Sequence, residues 1–332
     1  MKAEQVVLPD ASSLITAAAE QFISVARTAI AKRGVFYVAL AGGSTPKGLY
    51  QMLATSPYTT QVDWARVHLF FGDERCVLPT HDDSNFKMAS EAMIDAISIP
   101  EDNVHRMPTE LPPEQVATVY AATMAEVMGD QPLDLVLLGL GPDGHIASLF
   151  PGTPALDVSN TKTAALYVEK FDSWRITMTY PVINAARQVI VFIAGEAKEE
   201  IVNDISTEVV SGLPVQRLAP TCDYYWYMDK AAAGKYILME RQEGILAVDL
   251  GGTKVLVQLS TLDGEVVLEQ RYLSEQFVNF EAVLSAFFAL PTLSDYRVSA
   301  SCFAVAGPVV GRTASITNLP WKIDAEALSE QF

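Results

Sequence analysis

The sequence VFYVALAGGSTP (residues 35–46) decides the fold class of this chain. Its apolar run, residues 35–41, predicts a strand that is buried on both faces. The turn of glycine and hydroxyl residues then leads into a helix, which we expect to begin at Pro46 and to run through Leu53. A buried strand followed at once by a helix is typical of a parallel sheet, and such sheets bind ligands at the carboxyl ends of their strands.

The same alternation continues along the chain and extends the prediction. Gly34 marks the end of a helix predicted over residues 12–33. Further strands are predicted at 67–71, 133–138, 164–168, 176–179 and 189–194, and further helices at 84–97, 113–128 and 196–206. We therefore predict an α/β fold with a mainly parallel sheet and helices on both faces.

A second domain is predicted near the C-terminal end of the sequence. The segment 230–243 is charged and rich in small residues, and a fresh strand pattern, ILAVDLGGTKVLVQLS, follows Gly244. We place the first domain at 1–238, a linker at 239–243 and a second domain at 244–332.

Composition limits the partners of the protein. The net charge of −17 disfavours nucleic acid and anionic membranes, and no apolar run approaches the ~20 residues of a membrane span. The N-terminal residues lack a signal-peptide h-region, and Cys76, Cys222 and Cys302 form no C-x-x-C pair. These features predict a cytoplasmic protein, and an anionic substrate would require a local cluster of positive groups.

Three loops at predicted strand ends carry candidate chemistry. The first is Gly42, Gly43, Ser44 and Thr45, where glycines allow backbone N–H groups to approach an oxyanion at a helix N-terminus. The spacing is not that of a Walker loop. This loop predicts a phosphate site, although an ordinary capped turn has the same appearance.

The second loop is GDER (residues 72–75), followed by HDDSN (81–85). Asp73 and Glu74 beside Arg75 can hold a polar substrate, and the arginine can stabilise developing negative charge. Alternatively, Arg75 pairs with its acidic neighbours and Ser84 caps the next helix. Adjacent side chains do not converge on one ion, so His81 and its neighbours do not predict a metal site.

The third loop, GLGPDGH (residues 139–145), matches the spacing of the dinucleotide fingerprint but places Pro142 and Asp143 where a pyrophosphate needs backbone donors. We reject a dinucleotide site for that reason. His145 lies among glycines, and Asp143 can fix its tautomer, which together predict a general base. An exposed loop histidine is the alternative.

Five motifs occur in an order that resembles the 6-phosphogluconolactonase family over residues 1 to about 238. They are LAGGSTP, FGDER with HDDSN, LGLGPDGHIASLFPG, RITMTYPVINAARQVIVFIAGEAKEE and WYMDKAAA. The resemblance implies the fold shared with glucosamine-6-phosphate deaminase and ribose-5-phosphate isomerase. It also implies hydrolysis of 6-phosphoglucono-δ-lactone in the pentose phosphate pathway, without a cofactor or metal.

The resemblance also implies roles for individual residues. His145 would be the base beside Asp143, and Arg75 would bind substrate and stabilise charge. Ile146 stands where the family usually has threonine, which removes a hydroxyl but no catalytic group. The substrate and phosphate contacts would be Gly42, Gly43, Ser44, Thr45, Asp73, Arg175 and Lys198.

The second domain resembles the start of a bacterial glucokinase, a sugar kinase with the actin-like ATPase fold. DLGGTK (249–254) and CFAVAGPVVGRTASITNLPWKID (302–324) carry this resemblance. It implies that the ATP phosphates lie near Asp249, Gly251, Gly252 and Thr253, and the sugar near Asn318. Because the family's catalytic aspartate lies in a later stretch, we expect an incomplete, inactive kinase segment; a complete one would use ATP and Mg²⁺.

Two other functions remain possible for the first domain. Glucosamine-6-phosphate deaminase would show a glutamate shortly after GHIA, where this chain has Ser148, Leu149, Phe150 and Pro151. A non-catalytic sugar-phosphate sensor would carry a helix-turn-helix, yet the residues before the first predicted strand indicate a single helix.

Overall fold

The computed structural model describes residues 3–207, 211–234, 242–293 and 296–331. The chain divides into two compact units, residues 1–236 and 237–332. The predicted linker, 239–243, falls mainly on residues outside the described ones, and Gln242 already begins a strand.

The first unit is built on a parallel sheet of six strands in the order β1-β9-β8-β5-β2-β3. In chain order, the strands of this unit are β1 (Glu4–Leu8), β2 (Phe36–Leu40), β3 (Val67–Phe71), β4 (Asp73–Arg75), β5 (Leu135–Gly139), β6 (Thr163–Val168), β7 (Ser173–Met178), β8 (Gln188–Ile193) and β9 (Asp223–Asp229). Every residue of β8 is buried, as expected for a strand covered on both faces.

The helices of the first unit follow the apolar periodicity of the sequence. They are α1 (Ala11–Arg33), α2 (Ser44–Leu53), α3 (Asn85–Ala92), α4 (Pro113–Met128), α5 (Tyr180–Ala185), α6 (Glu199–Ser206) and α7 (Lys230–Ala233). Asp10 caps α1 by accepting a hydrogen bond from the Ser13 N–H at 2.7 Å, and Gly34 ends it with a left-handed φ of 80°. The predicted start of α2 at Pro46 is wrong, because the helix begins at Ser44.

The strands β4, β6 and β7 lie outside the parallel sheet and form an antiparallel sheet in the order β4-β7-β6. The predicted parallel arrangement is therefore wrong for β6 and β7. The connection between them is a short turn that closes at Asp172 (φ 46°), and a parallel pair needs a crossover of a dozen or more residues. The prediction also missed β1, which pairs in parallel with β9 at the edge of the large sheet.

The second unit has a four-stranded sheet in the order β12-β11-β10-β13 and a small sheet of β14, β15 and β16. Its elements are β10 (Gln242–Leu250), β11 (Lys254–Thr261), β12 (Val266–Leu273), α8 (Phe280–Phe288), β13 (Tyr296–Val305), β14 (Val309–Val310), β15 (Thr313–Ser315), β16 (Lys322–Asp324) and α9 (Ala325–Gln331). One face of β10 is buried with residues of α8, including Phe280 and Phe287. Across the described parts of both units, the helices include none with the length and apolarity that crossing a membrane requires.

Two histidines, His68 of β3 and His105, form a hydrogen-bonded pair with their rings nearly in one plane. The rings of His68 and His105 lie 5.3 Å apart at an interplanar angle of 5°, and His68 Nδ1 lies 3.0 Å from His105 Nε2. Phe70 stacks on the ring of His105, with 4.6 Å between the ring centroids. Partial burial lowers the pKa of His68, and burial together with the charge of His68 lowers the pKa of His105 from 6.5 to about 4.

We predict that this pair makes the first unit sensitive to mild acid. Below pH 6.5 the unfolded chain binds protons that the folded chain does not, so stability is lost as the pH falls from about 6.5 towards about 4. After allowance for partial exposure, we expect a loss of about 1 kcal/mol. Urea unfolding of the wild type and of His105→Phe, at neutral pH and at pH 5, measures this loss. The free energy of unfolding of the variant should fall less between the two pH values than that of the wild type. An equal loss in both proteins would contradict the prediction.

Candidate active site

The first loop follows β2 and forms the N-terminus of α2. Gly43 has a φ of 106°, and no side chain caps this helix, so its first N–H groups face the loop without a side-chain acceptor. A Cβ on Gly42 would lie 2.1 Å from Asn85 Oδ1. Glycine at position 42 therefore allows the Asn85 side chain to pack directly against the loop.

The second loop, after β3, turns into β4 and presents Asp73 and Arg75. Asp73 is buried, accepts a hydrogen bond from Ser148 Oγ at 2.6 Å, and its backbone carbonyl accepts one from Asn85 Nδ2 at 2.9 Å. Arg75 Nη1 donates to the backbone carbonyl of Asp83 at 2.5 Å, and its buried Nε has no hydrogen-bond partner. The guanidinium has five N–H donors, so its remaining Nη donors, and not the buried Nε, are those that can meet a ligand in the cavity.

Glu74 does not join Asp73 as a substrate-binding carboxylate. Its oxygens accept hydrogen bonds from Ser84 Oγ and from the backbone N–H groups of Arg75, Asn85 and Phe86, at 2.8–3.0 Å. Burial raises the pKa of this carboxyl, while the backbone hydrogen bonds oppose that rise. Ser84 also caps α3 through the Lys87 N–H. Glu74 thus holds β4 against the start of α3.

The third loop brings His145 against Asp143, with 2.5 Å between Nδ1 and Oδ1. Burial acts to raise the pKa of Asp143, but the hydrogen bonds and charge of His145 outweigh it and hold that pKa below its ordinary value. Lys170 Nζ lies 3.3 Å from the other carboxylate oxygen. An ionised Asp143 accepts the Nδ1 proton, which leaves Nε2 of a neutral His145 as the basic atom.

Packing fixes the position of the imidazole. The ring of Phe150 lies 4.1 Å from that of His145, at 32°. A Cβ on Gly141 would lie 2.0 Å from His145 Nδ1, so any other residue there would displace the histidine. Gly144 has a φ of 75°, which a residue with a side chain rarely adopts.

Two further basic residues lie at this end of the sheet. Lys198 follows β8 and lines the cavity, and burial lowers its pKa while the charge of Asp143 opposes the shift. Arg175 pairs with Arg75 across β4 and β7 but does not line the cavity. Burial, followed by the charge of Arg75, lowers the pKa of Arg175, and its buried Nε has no hydrogen-bond partner.

The three loops and Lys198 surround one cavity of about 290 Å³ at the carboxyl ends of the strands. The predicted site residues that line it are Gly42, Gly43, Ser44, Thr45, Asp73, Arg75, His145 and Lys198. Asp143 lies behind His145, and Arg175 lies beside Arg75. The sequence-based prediction did not identify Asn85, Ser148, Phe150 or Lys170, although the first three fall within motifs that it quoted.

No group of three or more metal-ligating side chains occurs in the described residues. His81 Nδ1 accepts a hydrogen bond from the Asp83 N–H at 3.1 Å, and both side chains are largely exposed. The loop of His81 therefore forms a local turn.

The second unit brings its two motifs together. Gly251 N–H donates to the Lys254 carbonyl, which closes a hairpin between β10 and β11, and Asp249 is exposed near the end of β10. A Cβ on Gly252 would lie 3.1 Å from the Cβ of Asn318. DLGGTK and TNLPW are therefore neighbours in space.

Known proteins resemble both parts of the chain. The family model for glucosamine-6-phosphate isomerases and 6-phosphogluconolactonase matches residues 9–226, and the glucokinase model matches 246–332. A 6-phosphogluconolactonase of Nostoc sp. is 38% identical over 71% of this chain and 99% of its own length. One of Synechocystis sp. is 41% identical over 61% of this chain and 86% of its own length.

A solved structure gives the same relationship. The 6-phosphogluconolactonase of Trypanosoma cruzi superposes with a TM-score of 0.64 at 28% identity, over 70% of this chain and 96% of its own length. With its parallel sheet, its three loops and these relatives, the chain belongs to the 6-phosphogluconolactonase family and carries a glucokinase-like segment after the lactonase domain.

Proposed function

We propose that the chain hydrolyses 6-phosphoglucono-δ-lactone to 6-phosphogluconate, with His145 as the general base. The observation that carries this proposal is the arrangement of one cavity: His145, oriented by Asp143, shares it with the loop Gly42–Thr45 and with Lys198. A base and an anion-binding loop in one cavity suit an ester substrate that carries a phosphate.

The proposed reaction begins at His145 Nε2. This atom takes a proton from a water molecule, and the resulting hydroxide attacks the lactone carbonyl carbon C1. Asp143 stabilises the imidazolium that forms, since its carboxylate already accepts the Nδ1 proton. The C–O bond of the ring then breaks, and the imidazolium returns the proton to the departing C5 oxygen.

Negative charge develops on the carbonyl oxygen during attack. Arg75 lines the cavity and uses one Nη1 donor on the Asp83 carbonyl, so we assign its other Nη donors and its positive charge the stabilisation of that oxygen. Asp73 lines the cavity beside it, and its second oxygen can accept a hydrogen bond from a substrate hydroxyl. These groups supply a base, donors and positive charge, so the proposed reaction needs no cofactor.

We propose that the phosphate binds at the N-terminus of α2. The N–H groups of Gly43, Ser44 and Thr45 and the two hydroxyls are suited to phosphate oxygens, and Lys198 adds positive charge. Arg175 would contribute from the rim, because two arginines side by side repel each other until an anion joins them. Anchoring the phosphate fixes the carbonyl for attack, which can supply several kcal/mol.

The residues after His145 favour a lactonase over a deaminase. Ser148 is buried and donates to Asp73, and Phe150 packs on the imidazole. A glutamate, which deaminase chemistry would show in this stretch, is absent from residues 146–151. Assaying release of ammonia from glucosamine 6-phosphate beside lactone hydrolysis separates the two activities.

For the second unit we propose an actin-like sugar kinase segment without kinase activity. The contact between Gly252 and Asn318 supports a shared nucleotide and sugar site, with Asp249, Gly251 and Thr253 near the phosphates. Phosphoryl transfer also needs a base for the sugar hydroxyl. Asp324, an acid close to Asn318 in sequence, accepts from the Glu326 N–H and caps α9.

We predict that His145→Ala lowers the rate of lactone hydrolysis by ~10²–10⁴. His68→Phe is the matched control, because that histidine lies outside the cavity. The measurement is the enzymatic rate after subtraction of spontaneous hydrolysis, with circular dichroism to confirm folding. Near wild-type turnover by a folded His145→Ala variant would place the base elsewhere.

We predict that Lys198→Ala and Arg175→Ala weaken binding of the phosphorylated lactone by roughly ten-fold or more, since each removes a charged hydrogen bond to phosphate. Unphosphorylated glucono-δ-lactone should be affected much less. KM values for both lactones, with Arg66→Ala as a control that removes a distant positive charge, test this. Equal losses on the two lactones would show that these residues do not bind the phosphate.

We predict that the 332-residue chain forms no glucose 6-phosphate from glucose, ATP and Mg²⁺, because its kinase-like segment lacks an assigned base. A coupled dehydrogenase assay measures the product. The Asp249→Ala variant of the chain is the control, because activity from contaminating host kinases would be the same in its preparation as in that of the wild type. ATP-dependent activity that disappears in this variant would overturn the prediction.

A further inference from the structure

The motif WYMDKAAA contains a buried carboxylate that the proposed reaction does not use. Asp229 is the last residue of β9, is 3% exposed, and is not among the residues that line the active-site cavity. A carboxylate buried to this extent needs hydrogen bonds in place of its lost hydration. The groups that donate those bonds therefore show which parts of the fold this side chain holds.

Asp229 binds two backbone segments at the carboxyl ends of neighbouring strands. Both of its oxygens accept from the Gly195 N–H, with O···N distances of 3.0 Å, and Oδ1 also accepts from the Ala232 N–H at 2.7 Å. The bond to Ala232 caps α7. The parallel pairing of β8 with β9 places Ile193 opposite Met228, so the turn that begins at Gly195 lies beside Asp229.

The turn that Asp229 holds is the one that carries Lys198. Gly195 follows β8, and its carbonyl accepts from the Lys198 N–H at 3.0 Å, which closes one turn of 3-10 helix, Glu196–Lys198. The N–H group of Gly195 thus bonds to the buried carboxylate, and its carbonyl bonds to the backbone of the lysine that lines the cavity. A single residue connects Asp229 to Lys198.

A second contact fixes the residue that follows Lys198. Gly234 ends α7, and a Cβ there would lie 2.2 Å from Glu199 Cγ, so glycine allows Glu199 to pack directly against the end of the helix. The Lys198 side chain forms no hydrogen bond or ion pair with any described residue. The direction of this side chain therefore depends on the backbone that Asp229 and α7 hold.

We infer that Asp229 is a positioning residue for the phosphate site. By bonding to Gly195 and capping α7, it directs the ammonium group of Lys198 into the cavity, where the lysine binds the phosphate of the substrate. The inference rests on the proposed function of that site. Without the bond to Gly195 the turn has more conformations, and fixing Lys198 on the phosphate then costs entropy that lowers the affinity.

The variant Asp229→Ser separates the two bonds of the carboxylate. Serine is a good N-cap and can still accept from the Ala232 N–H, but its shorter side chain leaves the Gly195 N–H without its acceptor. We expect the affinity for 6-phosphogluconate, measured by calorimetry, to fall severalfold, approaching the roughly ten-fold loss expected for Lys198→Ala. Asp10→Ser, the same change at the aspartate that caps α1, is the matched control and should bind as the wild type does.

A double-mutant cycle distinguishes positioning of Lys198 from a general structural defect. In the Lys198→Ala background, Asp229→Ser should cause no further loss of affinity, because the side chain that it positions is already absent. A loss of the same size in both backgrounds would overturn the inference, and so would wild-type affinity in a folded Asp229→Ser variant. If that variant does not fold, Asp229→Asn, which keeps the shape and one oxygen, is measured in the same cycle and judged by the same outcomes.

Equilibrium binding also keeps this test separate from the proposed reaction. Binding of 6-phosphogluconate with the expected coupling, in a protein that does not hydrolyse the lactone, would contradict the proposed reaction and support the role of Asp229. Lactone hydrolysis together with uncoupled losses would do the reverse.

Discussion

The active-site end of the molecule depends on the buried carboxylate of Glu74. Removing a carboxylate from water costs several kcal/mol unless hydrogen bonds replace its hydration. Here the backbone of β4, the backbone at the start of α3 and the Ser84 hydroxyl provide them. The result is a fixed strand on which Asp73 and Arg75, on either side of Glu74, line the cavity. Asn85, held by the same contacts, then meets Gly42.

Much of the fold and of the candidate site could be predicted, because both follow from local patterns. Continuous apolar runs indicated the central strands. Loops at the carboxyl ends of parallel strands lie at the same edge of the sheet, so residues of three motifs distant in sequence could be assigned to one site. The antiparallel β6–β7 pair could also have been predicted, because only seven residues separate the two predicted strands and a parallel pair needs a crossover of a dozen or more. Asp172, which closes the turn with a positive φ, is a residue type that turns favour.

The different roles of the two adjacent carboxylates could not be predicted from the sequence. Asp73 and Glu74 are neighbours, yet alternation along β4 sends one towards the cavity and the other towards α3. Likewise, RITMT indicated a basic residue near the site, but only the cross-strand register places Arg175 beside Arg75 instead of on the cavity wall. In each case the role of the side chain follows from its neighbours in the folded structure.

The contact of Asn85 with Gly42 has a consequence for the length of the molecule that the cavity can bind. Through it, the loop at the N-terminus of α2 is braced against the strand that carries Arg75, while Asp73, on that same strand, is bonded to Ser148 in the segment that follows His145. The separation between this loop and the His145 imidazole is thus set by buried contacts and hydrogen bonds. With the proposed phosphate site and base at these two places, a sugar acid with a shorter carbon chain would reach one end of the span but not both, so length selection would be a property of the scaffold.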